Sequence, residues 1–156
     1  MRFSSRQMDA RFLVFALRQL ITTQQLMLEA VRDAGVSDEV STALSTARLR
    51  FEDALPGIKH MRDALMHFED WSRGNGRGPQ RDRYAAGESR RDIAQSFWFF
   101  AFDPVAATVS LGPYAIALAA ADQAVAELRH AIYVAGHEID RASVASRPEL
   151  NPKPSA

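Results

Sequence analysis

The chain contains no cysteine. Disulfides, thiolate metal sites and a cysteine nucleophile are therefore excluded. Lysine is nearly absent: of nineteen basic residues only Lys59 and Lys153 are not arginine. Formal net charge is zero, so no whole-molecule field draws the protein to nucleic acid or to anionic lipid. Binding of either kind has to come from a local cluster. No stretch approaches the ~20 consecutive apolar residues of a membrane span. The longest strongly apolar runs are residues 97–102 and 115–121. Near the basic N-terminus the apolar run at 12–17 is hemmed by Arg11 and Arg18, which argues against a secretory leader. The expectation is a cytoplasmic protein with no membrane partner.

What is present is a chain of 156 residues, 47% apolar and 24% charged, which fits one soluble domain with a real core. Residues 8–34 predict a long helix, with Leu13, Leu17, Leu20, Gln24, Met27 and Val31 on one face, widened by Phe12, Phe15 and Ile21. Gly35 closes it. Ser37 or Asp38 caps a second helix that buries Val40, Leu44, Ala47 and Phe51 and stops near Leu55. Pro56-Gly57 breaks the chain. Residues 72–91 lose apolar periodicity and hold four of the eight glycines, Gly74, Gly76 and Gly78 within five residues and Gly87 further on, so they predict a flexible Arg/Gly-rich loop. The aromatic run at 96–102 favours a strand, Asp103-Pro104 a turn, and 105–111 a second strand. Residues 114–143 predict the last long helix, and 146–156 a disordered tail. The expected fold is mainly α: a single domain over 1–145, built of long antiparallel helices, with a small β-hairpin inserted before the last one.

Residues 58–71 hold most of the available chemistry. Ile58, Met61, Leu65 and Phe68 recur at helical spacing and predict one buried stripe. His60, Asp63 and His67 form a polar stripe beside it, on which Asp63 can accept a hydrogen bond from the imidazole of His67. Arg62 lies five residues before His67, about 140° around an ideal helix. The run Arg62-Asp63-Ala64-Leu65-Met66-His67 resembles the Arg–polar–x3–His motif of the HEPN superfamily. These are small helical proteins, many of them metal-independent ribonucleases of toxin–antitoxin and phage-defence systems. The resemblance implies a HEPN-like bundle, a homodimer with one cleft shared by two protomers, and RNA cleavage through Arg62, Asp63 and His67. It also implies an antitoxin or other regulatory protein as a possible partner, and no cofactor. In HEPN toxins paired with nucleotidyltransferase antitoxins a tyrosine often follows two residues after the histidine. Glu69 stands there in this chain, so control by modification of that tyrosine is not implied.

The chemistry suits the residue types. An imidazole exchanges a proton near neutral pH and can serve as acid or base, while a guanidinium stays charged and forks onto phosphate oxygens. One chain supplies one such histidine, and a two-fold dimer supplies two. Beyond the motif, Arg73, Arg77, Arg81 and Arg83 are candidate RNA-binding residues, the alternative being a solvated connector. His60 reads as a surface residue or a cleft neighbour. Glu127 with His130 gives one Glu-x-x-His pair, and a carboxylate-bridged di-metal bundle needs two, so no metal site is expected. Trp71 and the 97–102 aromatics can stack on bases, or supply a core on one strand face and a protein contact on the other. Two further readings stay open: a HEPN-fold protein that binds RNA, nucleotide or a protein partner without cutting, and a plain helical interaction protein.

Overall fold

The computed structural model describes residues 5–145, and the tail expected at 146–156 lies outside them. Three long helices carry the molecule: α1 (Ser5–Asp33), α2 (Asp38–Ala54) and α7 (Leu118–Ala145), each packed on the other two. Between α2 and α7 come four short helices, α3 (Ile58–Met66), α4 (Phe68–Trp71), α5 (Pro79–Ala85) and α6 (Arg90–Ser96). Strands β1 (Phe100–Asp103), β2 (Thr108–Leu111) and β3 (Tyr114–Ala117) follow and form an antiparallel sheet in the order β1-β2-β3. The protein is therefore a mainly α bundle with a small antiparallel sheet before its last helix.

Of the expected α1 face, Leu17, Ile21, Gln24 and Val31 are buried and Leu13, Leu20 and Met27 are half-buried, while Val14, outside that face, is buried with them. Val14, Leu17 and Ile21 meet Ala121, Ala124 and Leu128 of α7, Phe51 of α2, and Ile58 and Met61 of α3 in the main core. Val31, Leu44 and Ala135 form a second cluster towards the far end of the long helices. Phe12 is not part of the buried face; it points outward and is 63% exposed. Gln24 lies wholly inside and donates from Nε2 to the Leu44 carbonyl at 3.3 Å, tying α1 to α2. Glu52 bridges the end of α2 to the start of α3, accepting from Arg48 and Lys59 at 2.9 Å each. Burial disfavours its ionised form, but these two partners outweigh burial and hold its carboxyl below the ordinary value.

The single helix expected over 58–71 is two helices. α3 stops at Met66, His67 takes φ −117° and ψ 45°, and α4 starts afresh at Phe68. The break changes which ring is buried. Phe68, fourth in the predicted stripe, is 58% exposed, whereas Trp71 is 3% exposed and meets Phe97 edge-on at 5.2 Å. Burying the larger indole removes more apolar surface from water than burying Phe68 would. The carbonyl of His67 accepts from the N–H groups of Asp70 and Trp71, which holds the new turn.

The segment 72–91 is also more ordered in secondary structure than a bare loop, since it contains α5 and the start of α6. Its anchor is Gln80, which is fully buried. Its Oε1 accepts from the Gly76 N–H at 2.7 Å, and its Nε2 donates to the Trp71 carbonyl at 3.0 Å. The turn thereby wraps the Trp71 ring so closely that a methyl group at Gly76 would lie 2.6 Å from it. Ser89 caps α6 by accepting from the Asp92 N–H.

The expected strand at 96–102 begins only at Phe100, because α6 runs through Ser96. The aromatic run divides accordingly: Phe97 is buried, Trp98 and Phe99 are exposed, and Phe100 and Phe102 are half-buried on the sheet. The expected strand at 105–111 is shorter as well. Residues 104–107 form the β1–β2 turn, in which the Asp103 carboxylate accepts from the N–H groups of Val105 and Ala106. Those backbone hydrogen bonds hold Asp103 below the usual carboxylate range. The helix expected from Tyr114 starts instead at Leu118, and Tyr114–Ala117 is the third strand. Gly112 (φ 56°) and Pro113 form a two-residue hairpin turn, with Leu111 paired to Tyr114. Phe100, Leu111 and Tyr114 form one cross-strand row and Phe102, Val109 and Ile116 the next, all on the face that packs against the helices.

Gln80 yields a direct test. Gln80→Ala leaves a buried N–H and a buried carbonyl without their side-chain partner, which costs about 1–3 kcal/mol. Urea unfolding should show that loss with the slope of the transition unchanged. A difference under about 0.5 kcal/mol, the range of an ordinary surface change, would contradict the role given to Gln80.

Candidate functional site

Arg62 and Asp63 lie on the last turns of α3, and His67 lies at the break that ends it. Arg62 Nη1 is 3.3 Å from Asp63 Oδ1, and both side chains are about one-third exposed (38% and 32%). The hydrogen bond expected between Asp63 and the imidazole of His67 is replaced by this neighbouring pair. The reason is the break: with φ and ψ outside the helical range, His67 leaves the position in which residues four apart stack on one face. What remains between the two is backbone, His67 N–H to the Asp63 carbonyl at 2.9 Å. The His67 imidazole is exposed and makes no hydrogen bond among the described residues. Exposed Met66 and Phe68 flank it.

His60 is a packed ring, not a free surface residue. It stacks on Tyr114 with centroids 5.6 Å apart and planes 20° apart. Gly57, at φ 76°, lies against the same Tyr114 ring, where a methyl group would be 2.1 Å away; Gly78 lies against His60, where one would be 2.8 Å away. The two glycines therefore let β3 and the α4–α5 turn close on α3. Burial raises the Tyr114 phenol above its ordinary value.

The four arginines named with the Gly-rich segment have different surroundings. Arg73 and Arg77 are exposed and have no side-chain partner among the described residues. Arg81 is exposed and lies 3.8 Å from Asp82. Arg83 is committed within the fold: it grips both carboxylate oxygens of Glu88, donates to Ser96 Oγ, and lies over the Phe97 ring at 6.0 Å. The hydrogen bonds from Arg83 hold Glu88 below the usual carboxylate range. Arg83 braces α5 against α6 and is not available to a ligand in this arrangement.

Two further arginines, at 90 and 91, join Arg73 in a cleft of about 650 Å³ that Trp98 and Gln95 also line. Trp98 and Ser72 are shared with a second groove of about 490 Å³, walled by Phe68, Phe99 and Phe100 with Arg11 at its edge. Arg90 and Arg91 lie at the end of the Arg/Gly-rich segment, and their separation from Arg73 in the chain hides this proximity from the sequence. A third depression, of about 550 Å³, lies between the start of α1 and the sheet and contains no motif residue. Among the described residues no helix is long and apolar enough to cross a membrane, and no three His, Asp or Glu side chains gather as a metal-binding group.

Comparison with protein-family models, with curated proteins and with solved structures finds no match to this chain. The class that the fold defines is a helical bundle with a three-stranded antiparallel meander leading into its last helix.

The contrast among the arginines is measurable. Arg83→Gln should lower the melting temperature, since it removes the brace between α5 and α6. Arg73→Gln and Arg77→Gln should leave it within about 1–2 °C, as ordinary surface changes do. Equal melting temperatures for all three variants would contradict the division between structural and free arginines.

Proposed function

We propose that the protein is a metal-independent endoribonuclease of the HEPN type, acting as a homodimer in the cytoplasm in a toxin–antitoxin or phage-defence setting. The observation that carries the reading is the pairing of motif and exposure. Arg62 and His67 stand at the end of one short helix, both reach solvent, and the imidazole has no hydrogen-bond partner among the described residues. In the proposed reaction one His67 takes the proton of a ribose 2′-hydroxyl as that oxygen attacks phosphorus. The bond from phosphorus to the 5′-oxygen breaks, and the His67 of a second copy protonates the leaving oxygen. Arg62 neutralises the charge that builds on the phosphorane. The products are a 2′,3′-cyclic phosphate and a 5′-hydroxyl. Two imidazoles in opposite protonation states require two chains around one cleft, which is why the dimer belongs to the proposal. Asp63 acts by aligning Arg62, since its carboxylate lies on that guanidinium. A regulatory protein that covers the exposed end of α3 would silence the site.

One observation favours a second reading, a HEPN-fold protein that binds RNA, nucleotide or a protein partner without cutting it. Asp63 is placed to partner Arg62 and not His67, so among the described residues no carboxylate orients the imidazole within one chain.

The experiment compares wild type with His67→Ala and Arg62→Gln on a labelled RNA in the presence of EDTA, at matched helicity. Cleavage by wild type, with 2′,3′-cyclic phosphate ends, should fall by at least about 100-fold in His67→Ala, the scale of a lost general acid–base group. Truncation of an exposed side chain should leave unfolding unchanged. Equal cleavage by wild type and His67→Ala would remove His67 from the mechanism, and cleavage that needs an added divalent ion would remove the metal-free chemistry.

A further inference from the structure

Cleavage chemistry at His67 leaves unexplained a surface that starts at the very next residue. Phe68 is 58% exposed, Trp98 55% and Phe99 79%, an unusual concentration of open rings beside one another. The Phe68 and Trp98 centroids are 6.0 Å apart with planes tilted by 56°, so the rings do not cover each other's outer faces. Trp98 also lines the cleft of Arg73, Arg90 and Arg91, in whose lining no carboxylate takes part. Arg73 and Arg91 have no side-chain partner among the described residues. Arg90 is held in place over the Tyr84 ring, 4.0 Å away, and donates to the Gly74 carbonyl and to Asn75. The nearest acid in sequence, Asp92, is engaged by the Ser89 hydroxyl at 2.6 Å. In a chain of zero net charge, a groove of exposed rings opens into a cleft where, among the described residues, no carboxylate pairs with Arg73, Arg90 or Arg91.

We infer that this continuous surface binds an unpaired RNA strand, with bases stacked on Phe68, Trp98 and Phe99 and phosphates held by Arg73 and Arg91. Open aromatic faces beside free guanidinium groups are what a single strand requires, because every base has a stackable face and every nucleotide carries a negative charge. A duplex keeps its bases stacked inside and cannot use the rings. A second copy of this chain is a poorer occupant. A two-fold axis through the groove would bring Arg73 and Arg91 near the same residues of its partner, setting like charges together. The inference deepens the ribonuclease reading and rests on it for the choice of RNA. A strand on the rings reaches His67 at the Phe68 end, which would make the enzyme selective for unpaired substrate.

The test uses the full-length chain carrying His67→Ala and an unstructured, fluorescently labelled 2′-O-methyl RNA of roughly ten nucleotides, within the span such surfaces accommodate. Trp98→Ala and Phe99→Ala should each weaken binding at least about fivefold, with Trp98→Phe retaining most of the affinity. Arg73→Gln and Arg91→Gln should each reduce the log–log salt slope by about 0.7. The matching duplex should bind more weakly than the single strand. Unchanged affinity in both aromatic variants would overturn the inference, and so would equal binding of duplex. It is overturned too if Trp98→Ala lowers the molecular mass in solution while leaving RNA binding intact, since the groove would then join copies of the chain. Binding as expected, without cleavage by the wild type, would leave this surface standing and refute the ribonuclease reading. Cleavage with unchanged binding in the variants would do the reverse.

Discussion

The burial of Trp71 is the constraint on which the middle third of the chain depends. A straight helix over 58–71 would continue the Ile58–Met61 face through Leu65 to Phe68. The break at His67 instead turns the chain so that the indole enters the core and meets Phe97. Three things follow from that one substitution of ring for ring. Phe68 is left on the surface beside His67. The residues after Trp71 fold back over it through Gln80 and Gly76. That fold brings α6, and with it Arg90 and Arg91, next to Arg73. The same packing that stabilises the core therefore assembles the exposed surface.

A second contact fixes α3 from its other end. Tyr114 of β3 stacks on His60 and covers Gly57, while Gly78 lies close against the His60 ring. The sheet is thereby joined to the motif helix directly, and β3 continues into α7, whose first N–H is bonded to the Ala107 carbonyl of the β1–β2 turn. His60 is spent on this joint. Of the two histidines on the motif segment, the one at the break is exposed and makes no hydrogen bond among the described residues, and the one within the helix is packed.

The long elements were legible in the sequence because their signals are repetitive. The Leu17, Ile21 and Val31 seam of α1, the Gly35 end, the Leu44 and Phe51 face of α2 and the Pro56-Gly57 break all stand where periodicity and capping put them. What was missed turns on single contacts that periodicity does not carry. No glycine or proline marks the break at His67; only the competition between Phe68 and Trp71 for the core decides it. Tyr114–Ala117 is Ala-rich and continuous with a strong helix, yet alternation of Tyr114 and Ile116 and the turn at Gly112-Pro113 make it a strand. Gln80 reads as an ordinary polar loop residue until Trp71 is known to be buried beneath it. At the site, the helical setting of Arg62 and Asp63 was legible, but the place of His67 and the partner of Asp63 depended on where the helix ends. Arg83 and Arg73 look alike in sequence and differ in structure, because Glu88 and Ser96 are within reach of only one of them.

The most direct test of the account is the exposure of Trp71 itself. The chain has two tryptophans, so Trp98→Phe leaves Trp71 as the sole reporter. Its fluorescence should be blue-shifted and nearly insensitive to acrylamide or iodide in the native protein, becoming quenchable on unfolding in step with loss of helix. Native-state quenching as efficient as that of the unfolded chain would contradict the account, since Trp71 would then lie in solvent and the break at His67 would have no core to serve.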